Sequence, residues 1–133
     1  MTKTEQKKAI ETAERALHGL TLDIQAAEML LEDAEESWDH FTANIAAQSF
    51  AETAIAASEV ILKLYRPFTN PDGLSFTTTF AVEKSADATA LSAKKCSTSH
   101  PSQIHPQAKN TLALAQKTLT AAKAALLAAK PPA

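Results

Sequence analysis

The sequence predicts an all-α protein: an antiparallel helical bundle of three long heptad-patterned helices, an extended strap and room for one short extra helix. Three observations carry that expectation. Two long stretches in the first half of the chain repeat their apolar residues in alternating steps of three and four. A third such stretch lies near the C-terminus. The composition agrees, being rich in alanine, leucine, glutamate, lysine and glutamine, with only 2 glycines to serve hairpin turns. At 133 residues the chain is long enough for one core and reads as a single domain, 1–133.

The first register is Ile10, Leu17, Ile24, Leu31 and Trp38, with Ala13, Leu20, Ala27, Ala34 and Phe41 offset by three. Residues that recur every seven positions stay on one stripe of a helix facing a partner. One helix over 4–41 follows, about 55 Å long at 1.5 Å per residue. Gly19 lies off the stripe and leaves the register unchanged, so the helix is expected to pass through it with Leu17 and Leu20 buried, the alternative being a break at the glycine. Trp38 and Phe41, at the end of the stripe, are expected to be buried against Phe50.

The second register is Ala43, Ala47, Phe50, Ala54, Ala57, Ile61, Leu64 and Phe68. It gives a helix over 45–67 that stops at Arg66-Pro67, where proline disfavours continuation. The short connection makes the two helices antiparallel neighbours. The core seam is therefore expected at Ile10, Leu17, Leu20, Ile24, Leu31, Trp38, Phe41, Phe50, Ile61 and Leu64. The first helix overhangs the second at its N-terminal end, and something must cover it. Leu22, Ala26, Met29 and Leu30 form a further apolar strip on the first helix, and Ile55, Leu62 and Tyr65 one on the second. Two strips on a helix imply two neighbours.

Residues 69–95 are expected to hold the strap and the short helix. Asn70-Pro-Asp-Gly73 has turn chemistry, and Leu74, Phe76, Phe80 and Val82 then alternate with polar residues as an extended segment would. Ser85 is placed to N-cap a short helix over 85–95. Residues 96–105 read as a polar connector that holds Pro101 and leads up to Pro106, and 106–130 as a final helix opened by Pro106 and ended by Pro131-Pro132. Its seam is Leu112, Ala115, Leu119, Ala122, Leu126 and Ala129.

The net charge of −2 conceals an asymmetry. Residues 1–41 hold ten acids and four bases, whereas 88–133 hold six lysines and no acid. Segments of opposite charge in one small chain attract each other, so Lys109, Lys117, Lys123 and Lys130 are expected to dock on the acidic first helix. The acidic run Asp23, Glu28, Glu32, Asp33, Glu35, Glu36 and Asp39 is the candidate partner-binding face. It serves as that docking surface, or alternatively as a mimic of a nucleic-acid backbone that blocks a basic groove.

Reactive chemistry finds little support. Glu36 and His40, four apart, share a face of the expected first helix, but a ferritin-like site needs Glu-x-x-His on two helices. Cys96, His100 and His105 offer three zinc ligands where a structural site wants four. No nucleophile elbow and no glycine-rich phosphate loop occurs, and Cys96 reads as an incidental thiol. The expectation is a chain without catalytic residues, cofactor or metal. The charged start predicts no signal segment, the longest apolar run is Ala124 to Ala129, and a lone cysteine fits a reducing, cytoplasmic setting. The expected role is a non-enzymatic, self-associating interaction module, whose partner is protein rather than nucleic acid or membrane. The alternatives are the acidic inhibitor and a lipid- or granule-surface coat.

Overall fold

A computed structural model of the chain describes residues 2–69 and 73–130. It is all-helical, with four long helices and one single-turn helix, and no strand among the described residues. Residues 70–72 of the expected turn, the side chain of Phe68 and the stop at Pro131-Pro132 lie outside what is described.

Helix α1 runs from Lys3 to Glu36 without interruption. The Thr2 hydroxyl caps it by accepting from the Glu5 amide at 3.1 Å. Its buried face is Ile10, Ala13, Leu17, Ile24, Ala27, Leu31 and Ala34, while Leu20 is half-buried. Gly19 is exposed, and a Cβ built there would meet nothing within 4 Å. Gly19→Ala should therefore stabilise the fold by about 1 kcal/mol, the helix-propensity difference. Urea unfolding at submicromolar concentration measures it.

The helix stops five residues earlier than its register suggested. The Trp38 amide bonds the Glu35 carbonyl at 3.2 Å and the Asp39 amide reaches back to the Ala34 carbonyl at 2.8 Å. This Schellman turn puts Trp38 at the left-handed position, φ 56°, that glycine usually fills. Asp39 then caps the next helix, accepting from the Thr42 amide at 3.0 Å and the Thr42 hydroxyl at 2.6 Å. Trp38 and Phe41 consequently leave the seam. They are 61% and 76% exposed, so neither packs into the core as the register implied.

Helix α2, His40–Leu62, buries Ala43, Ala46, Ala47, Phe50, Ala51, Thr53, Ala54, Ala57 and Ile61, and Leu64 is buried just beyond it. By length and apolar content it is the one described helix that could cross a membrane, and its alanine face is spent on the bundle core. Helix α3, Arg66–Thr69, is a single turn. Main-chain bonds from Arg66 to Leu74 at 2.8 Å and from Leu74 to Leu64 at 2.6 Å close the excursion that contains it.

The strap is not there. Residues Phe76–Ser97 form helix α4, capped by the Ser75 hydroxyl on the Thr78 amide at 3.3 Å. Phe76 and Phe80, one turn apart, stack on its outside with ring centroids 5.4 Å apart. The core instead receives Thr79, Val82, Ala86, Thr89, Ala93 and Cys96, spaced three and four apart. Helix α5 is Pro101–Ala129, so the connector shrinks to residues 98–100 and Pro106 lies inside the helix rather than opening it. Its ring is exposed, and only the Ser102 carbonyl loses an intrahelical partner there.

The helices alternate in direction. Lys109 pairs with Glu35 at 3.1 Å and Lys130 with Glu14 at 2.7 Å, so α5 runs antiparallel to α1. Gln48 on α2 bonds the Ala93 carbonyl at 2.9 Å, and Ser85 on α4 bonds Thr118 on α5 at 2.7 Å. Helices α2 and α5 each pack on all three other long helices, whereas α1 and α4 form no substantial interface. The cross-section is a rhombus with α2 and α5 on its short diagonal. Alanine explains this: Ala43, Ala47, Ala54 and Ala57 on one side and Ala108, Ala115 and Ala122 on the other let the two backbones approach closely. The α4–α5 seam is polar but satisfied, with Ser92 and Thr111 bonded at 2.7 Å and Thr111 also bonding the Gln107 carbonyl at 3.0 Å.

Candidate functional site

Helix α1 meets α2 and α5 through one continuous buried face, and its second apolar strip lies largely in solvent among the described residues. Leu22 is 51% exposed, Met29 66% and Leu30 37%. Beside them an open groove runs between α1 and α2, lined by Leu20, Ala26 and Leu30 on one wall and Ile45 and Ala56 on the other. Asp23 and Glu52 mark its rim. Phe41 is exposed one turn before Ile45 on α2. The outer α1–α2 side is thus an apolar surface with acidic edges. Of the other strip expected for a neighbour, Ile55 and Leu62 are likewise in solvent, whereas Tyr65 is half-buried beside Phe76.

The acidic run is divided among different tasks. Glu35 pairs with Lys109, Glu28 accepts from Gln116 at 3.2 Å, and Asp39 caps α2. The Thr42 hydroxyl, then the Thr42 amide, holds the Asp39 carboxyl below the usual carboxylate range. Asp23, Glu32, Asp33 and Glu36 stand exposed.

A second constellation was invisible in the sequence. His40 opens α2, His105 lies 65 positions away in α5, and their Nδ1 and Nε2 atoms are 3.1 Å apart. Trp38 lies parallel to His105 at 4.8 Å and edge-on to His40 at 5.0 Å. This three-ring corner holds the left-handed Trp38 in place. His105 is 4% exposed, and its Nδ1 has no hydrogen-bond partner among the described residues. The tautomer that fits carries hydrogen on Nε2 and donates to His40, leaving a bare lone pair at Nδ1. A second proton on Nδ1 would be buried without an acceptor. Burial first, then His40 and Lys109, push the His105 pKa below 6.5, against the opposing pull of Glu35 and Asp39.

The sign of the pH dependence follows. The unfolded chain holds a proton on His105 more readily than the folded one, so stability is full above about pH 6.5 and falls as the pH drops below it. Urea unfolding between pH 8 and 5 should show a declining midpoint, and His105→Gln should flatten the part of that slope below pH 6.5. An identical slope in the variant would assign it to other groups.

Other candidates disperse. Cys96 is fully buried, its thiol facing the Ile104 carbonyl at 3.5 Å and its pKa raised by burial. His100 caps α5 by accepting from the Ser102 amide at 3.2 Å. Glu36 and His40 sit on different helices, so the shared face imagined for them does not exist. Among the described residues no group of three or more His, Cys, Asp or Glu side chains is placed to hold a metal ion. Comparison with protein-family models, curated proteins and solved structures gives no match to this chain.

Proposed function

We propose that this chain is a non-enzymatic helical interaction module that associates with a second copy of itself through the outer α1–α2 side. The observation that supports this most is the exposure of Leu22, Met29, Leu30, Phe41 and Ile45, of which Leu30 and Ile45 line one open groove between α1 and α2. Contiguous apolar surface of that kind costs solubility unless a partner covers it. The heptad spacing of the helices belongs to the same reading, since a seven-residue repeat suits helix-to-helix contact between chains as well as within one.

A charge placed on this side should separate the copies without unfolding either. Met29→Glu is expected to abolish association in sedimentation velocity while leaving the helical circular dichroism unchanged. Leu91→Glu, on the outward face of α4 at 56% exposure, should leave association intact. Equal loss in both variants would count against the α1–α2 side as the contact.

A further inference from the structure

The exposed face of α1 carries a pattern of its own. Lys8, Arg15, Leu22, Met29 and Glu36 fall seven apart, and Thr12, Gly19, Ala26 and Asp33 fall seven apart with an offset of four. All nine are exposed. At 100° per residue they occupy one stripe, distinct from the buried Ile10–Leu17–Ile24–Leu31 face. Along the helix this stripe reads basic, then apolar, then acidic. Such a stripe complements itself only when reversed, because parallel pairing would set acids on acids and bases on bases.

We propose that two copies pair α1 with α1 antiparallel across a two-fold axis near residue 24, with Arg15 of each copy against Asp33 of the other. This rests on the self-association reading and deepens it. In that register Leu22 meets Ala26 of the other copy, Met29 meets Gly19, and Glu36 meets Thr12. Large residues face small ones in alternating layers, which allows close helix approach. Met29 gains the open space at Gly19, where a Cβ would find no neighbour within its own chain. Sliding the pairing by seven residues one way sets Ala26 against Arg15, and the other way sets Leu22 against Asp33, so a charge would land on the apolar centre in either case. The stripe borders the α1–α2 groove through Ala26, so the second copy's helix also covers Leu30 and Ile45. Two symmetry-related Arg15–Asp33 pairs fix orientation and register.

The test is a charge exchange followed by sedimentation equilibrium, with circular dichroism confirming that each variant stays helical. Arg15→Asp alone and Asp33→Arg alone each turn two attractive contacts into repulsive ones and should raise the dimer Kd roughly tenfold or more. The double variant restores opposite charges and should return the Kd to about wild-type strength. A wild-type dimer whose double variant is as weak as either single one overturns this register while leaving self-association standing. A wild type that is monomeric at every concentration overturns both.

Discussion

Ending the chain after Ser99 should leave no cooperatively folded protein. Helix α5 supplies the wall that α1, α2 and α4 all pack on, and its buried set runs from His105 and Ala108 through Leu119 to Leu126 and Ala129. Without it the polar seam of α4 loses its partners: Ser92 loses Thr111, and Ser85 loses Thr118. A domain of this size is stable by only about 5–15 kcal/mol, and deleting one quarter of the bundle removes more than that. Thermal melting followed by circular dichroism should show a broad, non-cooperative loss of signal. A truncated chain that melts at the wild-type temperature would mean that acidic α1 and lysine-bearing α5 do not depend on each other.

Phe50→Ala should be the most damaging single truncation of a side chain, at about 3–5 kcal/mol. Phe50 is fully buried on α2, one of the two helices on the short diagonal. The buried positions around it on α2 are Ala46, Ala47, Ala51, Thr53 and Ala54, none with a side chain long enough to fill the void. By contrast Phe41→Ala, at 76% exposure, should change stability by less than about 0.5 kcal/mol. Denaturant unfolding of the pair gives the comparison directly, and equal losses would place Phe41 in the core after all.

The contrast between Phe50 and Phe41 shows where sequence periodicity carries information and where it does not. A heptad stripe identifies the face of a helix but not its end. Trp38 and Phe41 continue the spacing of Ile10, Leu17 and Leu31, yet Asp39 caps a new helix and Ser37 closes the old one. The local signal was present, since Ser-Trp-Asp followed by Thr42 is cap chemistry, but it competed with an unbroken apolar pattern. Helix α4 failed for the opposite reason. Its inward face is Thr79, Val82, Ala86, Thr89, Ala93 and Cys96, whose period is helical but whose residues are small or polar. The large aromatic rings, Phe76 and Phe80, face outward. The helical period of this segment is carried by its small residues and not by its large ones.

The site divides in the same way. The strip of Leu22, Ala26, Met29 and Leu30 was legible because it lies within one helix, although its place in solvent depends on which faces the other helices occupy. The His40–His105 contact joins residues from separate helices, and no spacing rule reaches across 65 positions.

The most direct test of self-association is the molar mass of the wild-type chain in solution, measured by light scattering across the micromolar range. Two copies joined through α1 give twice the 14.2 kDa of one chain, falling toward a single chain on dilution and with added salt. A mass of 14.2 kDa at every concentration would contradict it and leave the exposed strip of α1 for a different partner.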